Sequence, residues 1–251
     1  MITAGLWRVG GAAARRFSSA ALPRLTLEQA LTSSHMIQSA IESPPALQLL
    51  RAARERTDAA EKWQLVNQVL IQATLQVSTS LGFPASAQGF EAYTRAFSDL
   101  LRTDSDEARR ALQQTVDARW AMLLRHGYGC DPAPPLTLQQ ARALVIDLVD
   151  SLQEPELLRQ LDGSSAGLTG RLSTEERQTM VGRILVQEQM KVLGTHGFRG
   201  AEGFAQAQVC LMAHASDAVV TAALASAMQN LYARAGIDLM AALRQATTAA
   251  T

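Results

Sequence analysis

Cys210 and His214 stand four residues apart, a spacing that puts two metal-ligating side chains on one face of a helix. A zinc site needs three or four such ligands, and no Cys-x-x-Cys or His-Glu-x-x-His run supplies the others. The pair therefore reads as core or surface residues. Gly194-Thr195-His196-Gly197-Phe198-Arg199-Gly200 could turn backbone N–H groups toward an anion. It follows a helical pattern rather than a strand, so it reads as a helix connector and not a phosphate loop. Asp104, Asp106 and Glu107 form the densest acidic cluster. Buried carboxylate pairs can do acid–base work, but acids at a helix start more simply complement the helix dipole. There is no Gly-x-Ser-x-Gly elbow, and His35, His126, His196 and His214 have no recurring acid partner. The sequence thus predicts no catalytic residue, no cofactor and no metal, and a protein that is not an enzyme.

The elements that carry these residues are helical. Of 251 residues, 47% are hydrophobic and only 5% aromatic, so the core must be built from Leu, Val, Ile, Met and Ala. Those residues, with many Gln and Arg, favour helix. Runs of β-branched residues with strict alternation are missing, so an all-α fold is expected.

One pattern occurs twice. Leu25-Thr26-Leu27-Glu28-Gln29-Ala30 returns 111 positions later as Leu136-Thr137-Leu138-Gln139-Gln140-Ala141. Pro44-Pro45 is matched by Pro155. Gly82-Phe83, followed by Gly89-Phe90, is matched by Gly197-Phe198, followed by Gly203-Phe204. Arg125-His126-Gly127 is matched by Arg234-Ala235-Gly236. A repeat of this length means a duplicated domain rather than a solenoid. The expectation is two pseudo-repeated modules of about four to five helices each, packed as helical bundles. Residues 25–128 and 136–240 would be the modules, 129–135 a Pro/Gly linker, and 241–251 a C-terminal tail.

Each landmark shapes a helix end. Thr26 with Gln29, Thr137 with Gln140 and Ser173 with Glu176 have capping-box spacing. Pro44 and Pro155 are expected to end the first helix of each copy. Gly82 and Gly197 suit the left-handed position that stops the long helix, with Phe83 and Phe198 packing back on it. Gly89-Phe90 and Gly203-Phe204 should open the next helix, and Thr103 and Ser216 should cap the last. The predicted helices are 26–42, 46–56, 58–81, 87–102 and 105–126, then 137–153, 173–195, 201–214 and 216–235. Asp162-Gly163-Ser164-Ser165-Ala166-Gly167 reads as a loop inserted before the second long helix.

These landmarks resemble the small eukaryotic protein C-ten family. Its members begin with a Leu-Ser/Thr-x-Glu-Gln-Ala helix. They pass a Pro-containing break and a long apolar helix ending in Gly-Phe, and close with an amphipathic helix pair. Leu25–Ala30, Pro44, Gly82-Phe83 and Gly89 carry the likeness in the first copy. Leu136–Ala141, Pro155, Gly197-Phe198 and Gly203 carry it in the second. The resemblance implies a non-enzymatic helical interaction protein, with no catalytic residues to transfer. Family members carry one module where this chain carries two, and the family does not imply a mitochondrial presequence.

The charge pattern supplies an address. Residues 1–24 contain Arg8, Arg15, Arg16 and Arg24 and no acid, the composition of a mitochondrial-type presequence. The alternative is a plastid segment or a plain basic tail. The rest of the chain holds 19 basic residues against 23 acidic, which argues against nucleic acid as a partner. Cys130 and Cys210 suit a reducing compartment. No stretch is long and apolar enough to span a membrane, so any membrane contact would be peripheral. Residues 203–233 hold one charge, Asp217, and read as a buried helix pair. Together these features predict an accessory or structural subunit of a mitochondrial complex, in the matrix or on the matrix face of the inner membrane. ATP synthase or a respiratory complex is favoured over the mitoribosome, with other protein subunits as partners. The alternative is a soluble helical ligand-binding module with an apolar inter-helix pocket.

Overall fold

In a computed structural model, residues 23–103, 105–168, 173–214, 217–223 and Leu231 are described. Among them the fold is all-α. Its helices are α1 (Leu27–Ile41), α2 (Pro44–Arg54), α3 (Ala59–Ser80), α4 (Ala87–Thr103), α5 (Asp106–Gly127), α6 (Leu138–Ser151), α7 (Pro155–Leu168), α8 (Thr174–Thr195) and α9 (Gly200–Met212). A π-helical turn follows at Val219–Ala223. The expected presequence lies outside the described residues except for Pro23 and Arg24. The expected Ser216 cap, the Arg234–Gly236 landmark and the tail 241–251 lie outside them too.

Helix ends follow the local chemistry. The Thr26–Gln29, Thr137–Gln140 and Ser173–Glu176 capping boxes all close, each side chain reaching the other residue's backbone N–H. Both long helices stop identically. Gly82 has φ +87° and Gly197 φ +88°, a region closed to most side chains. Phe83 N–H then bonds Ser78 O (3.1 Å) and Gly82 N–H bonds Thr79 O (3.1 Å). In the second half Phe198 N–H bonds Leu193 O (2.9 Å) and Gly197 N–H bonds Gly194 O (3.3 Å). Both are Schellman closures. Two turns on, Gly89 and Gly203 sit inside the first turn of α4 and α9, where a side chain cannot fit. A Cβ on Gly89 would lie 1.7 Å from Pro84 O, and one on Gly203 2.4 Å from the Phe198 carbonyl carbon.

Three expectations are corrected. The prolines do not terminate α1 and α6, which stop at Ile41 and Ser151; Pro44 and Pro155 instead stand first in α2 and α7, where the missing N–H costs nothing. α5 is capped by Ser105, whose hydroxyl accepts Ala108 N–H (3.3 Å), rather than by Thr103. Residues 162–167 are helical. Glycine and serine are weak helix formers, not absolute breakers, and the run continues a helix already anchored by buried Leu157 and Leu161.

Some pairings have a counterpart in the other half and others do not. α1 packs on α3 and α5, while α6 packs on α8 and the π-helical turn; α4 packs on α3, and α9 on α8. α2 packs on α3 and α5, whereas among the described residues α7 has no comparable packing partner, so the expected repeat of the module is not established by the packing. The halves are not separate beads. α3 also packs on α8 and α9, α5 also packs on α9, and one buried cluster runs from Leu25 to Val220. No helix of the described residues is long and apolar enough to cross a membrane.

Candidate functional site

A concentration of polar and aromatic side chains lies where the halves meet, at the first two turns of α3. Trp63 is buried between halves: it stacks on Trp120 of α5 (5.8 Å, 6°) and meets Phe204 of α9 edge-on (5.5 Å, 88°). The neighbouring Lys62 is also buried. Its Nζ is 3.2 Å from Glu202 Oε1 of α9 and 5.5 Å from the centre of the Tyr128 ring. A desolvated ammonium needs a compensating charge, and Glu202 supplies it across the seam. A second cross-seam pair lies at the surface, where Arg183 of α8 reaches Asp58 (3.2 Å) and Glu61 of α3.

The end of α5 completes the cluster. A Cβ on Gly127 would fall 2.6 Å from Val66 Cγ2, so only glycine allows this close approach of α5 to α3. Tyr128 follows and slides beneath Lys62. Its hydroxyl, Trp63 Nε1 and Asn67 Oδ1 are buried with no hydrogen-bond partner. Burial pushes the Tyr128 hydroxyl well above its usual range, with Cys130 and Glu202 adding to the effect. Burial also raises the Cys130 thiol, helped by Glu202 and Asp131 and opposed by Lys62. At neutral pH the thiol stays protonated, the weakly nucleophilic form.

The 129–135 linker is extended over α9 and clamped there. Gln206 Nε2 donates to Asp131 O (2.6 Å), Cys210 Sγ to Pro134 O (3.6 Å), and His214 Nε2 bonds Leu136 O (2.7 Å). Gln206 and Cys210 stand one turn apart on α9 and read the linker backbone twice, and His214, in the turn after α9, bonds the first residue beyond the linker. The Cys210–His214 spacing thus has its explanation in linker docking. Among the described residues no group of three or more His, Cys, Asp or Glu could hold a metal ion.

The other residues singled out in the sequence are dispersed. Thr26 and Thr137 cap exposed helix starts. Phe83 meets Tyr93 edge-on (5.6 Å), and Phe90 packs with Ile71 and Leu75 in a small separate cluster. Phe198 lies in the main core. His196 pairs with Asp147 of α6 (2.8 Å), and Asp106 with Arg109 at the start of α5. Of the predicted landmarks, Gly127, Phe204 and its neighbour Gly203 enter the junction. Lys62, Glu202 and Tyr128 gave no warning, because charges near helix starts ordinarily face solvent. Comparison with family models, with curated proteins and with solved structures gives no match. The likeness to the protein C-ten family accordingly rests on the landmark residues alone.

Proposed function

We propose that the chain is a non-enzymatic accessory subunit of a mitochondrial protein complex, ATP synthase or a respiratory complex ahead of the mitoribosome, and that it acts through protein–protein contacts. The observation that carries this reading is the outer face of α6. Leu138 and Ile146, two turns apart, are 40% and 50% exposed, and Val219 of the π-helical turn is 40% exposed. Arg142, between them on α6, bonds Asp217 at 2.6 Å and so ties the turn to this face. Exposed aliphatic side chains flanking an ion pair have the composition of a protein contact surface. The Arg-rich, acid-free residues 1–24 and the low charge of residues 203–233 support the address and the covered surface. The protected thiols and the likeness to the C-ten family favour a role without covalent chemistry.

The test is purification of the tagged full chain from mitochondria, followed by sizing. A high-mass assembly that Ile146→Asp dissolves is expected. A lone monomer in the soluble fraction would sink the proposal.

A further inference from the structure

The outer face of α6 carries charge as well as exposed aliphatic side chains. Leu138, Arg142, Ile146 and Asp150 follow one another at four-residue intervals and all are exposed. They form a single row along the outside of the helix. Leu138 and Ile146 are about 12 Å apart along it. Ala143 and Asp147 lie beside the row and are exposed too. The row thus begins aliphatic and ends acidic.

The acids stand at the wrong end for the stability of α6. A helix C-terminus is the negative end of the dipole and favours cations. α5 follows that rule, with Asp106 and Glu107 in its first turn and Arg125 and His126 in its last. α6 has no acid in its first turn and no base in its last; Asp147 and Asp150 stand close to its C-terminal end. Arg142 is held by Asp217, and His196 reaches Asp147. Among the described residues no cation lies within ion-pair distance of Asp150.

We propose, on the reading of the α6 face as a protein contact, that this row docks an amphipathic helix of another subunit, one whose aliphatic stripe continues into a lysine or arginine facing Asp150. Aliphatic residues two turns apart match the repeat of a helix laid alongside, and the acid calls for a cation at one end. An anionic membrane surface is repelled by the same acids. A second copy of this helix offers Arg142 as its only cation, and Asp217 already holds it.

Fluorescence anisotropy of two labelled helical peptides titrated with the full chain tests this. One is built of leucine and lysine in amphipathic register, the other has glutamate in place of lysine. The leucine–lysine peptide should bind about tenfold more tightly or better. Asp150→Lys should weaken its binding about fivefold, whereas Glu28→Lys, at an exposed acid of α1, should leave it unchanged. Ile146→Asn should weaken it as well. Asp150→Lys should unfold no earlier than the wild type, since it removes an acid from a helix C-terminus; Asp150→Asn gives the same reading if the lysine variant does not fold. The proposal is overturned if the two peptides bind alike, if Asp150→Lys or Ile146→Asn leaves binding unchanged, or if Glu28→Lys weakens it as much as Asp150→Lys. It is overturned too if the full chain self-associates through Ile146 and binds neither peptide. The dissolution of the assembly by Ile146→Asp is a separate readout, so the contact can stand while the basic partner fails.

Discussion

The molecule buries one cation, half-buries another, and treats them oppositely. Lys62, at the seam between the halves, has a carboxylate at 3.2 Å and an aromatic face at 5.5 Å. Arg119, inside the first half, has an aromatic face at 5.9 Å and, among the described residues, no carboxylate. Burial of charge is tolerated only with compensation. At the seam the compensation comes from the other half, so the charge acts as a pin. Arg119 has only the Phe97 face beside it and is half-buried, so water supplies the rest of its compensation.

The largest expected effect is at the seam. Trp63→Ala removes the stack on Trp120 and the edge contact with Phe204 together, from a side chain 1% exposed. A loss of about 3–5 kcal/mol in urea unfolding is expected. A loss under ~1 kcal/mol would show that the seam is not a packed core. Next comes Gly203→Ala, since Gly203 sets how α9 presents Glu202 and Phe204. The added Cβ would fall 2.4 Å from the Phe198 carbonyl carbon. About 2–3 kcal/mol is expected, against about 1 kcal/mol for Gly197→Ala, where a Cβ meets nothing within 4 Å and only the positive φ resists. Equal losses would mean that α9 can move away from the connector.

That contrast also marks where the sequence was legible. Capping boxes and Gly-Phe stops are local: Thr26 needs only Gln29, and Gly197 only the turn before it. Their chemistry is complete within a few residues, so spacing alone predicts them. The Asp162–Gly167 run misleads because local turn preference is weaker than the anchoring of Leu157 and Leu161. The seam and the Ser33–Tyr93 contact are non-local. Lys62 finds Glu202 across 140 positions and Ser33 finds Tyr93 across 60. Nothing in the composition around Lys62 distinguishes it from a solvated helix-start lysine. Cys210 and His214 were visible as a pair, but their partners are linker carbonyls, which carry no side-chain signature.

The comparison of the two cations can be inverted by mutation. Glu202→Gln leaves Lys62, like Arg119, with no carboxylate, but in a fully buried position. Glu202 is itself 44% exposed, so water screens part of the pair. A loss of about 1–2 kcal/mol in urea unfolding is expected once that is discounted. Lys62→Met keeps the packing and removes the charge, and should cost less than Glu202→Gln. The opposite order would show that Lys62 contributes something besides a compensated charge.

The smallest effect sharpens the comparison from the seam side. Tyr128 carries the junction's own unpartnered hydroxyl. If the seam is structural, Tyr128→Phe should change stability by no more than about 1 kcal/mol, in either direction. A larger loss would mean that the hydroxyl bonds something bound there. Alkaline titration gives a second reading. The folded state holds the Tyr128 and Cys130 protons more tightly than the unfolded chain does. Their contribution is therefore complete below the unfolded values, about 8.5 for cysteine and 10 for tyrosine. It is lost as pH rises from there through the folded values, because the unfolded state then binds fewer protons. Tyr128→Phe should flatten the part of this loss above about pH 10, and Cys130→Ser the part that begins earlier. Unchanged alkaline profiles in both would show that the seam admits water freely and that Lys62 is no more enclosed than an ordinary surface lysine.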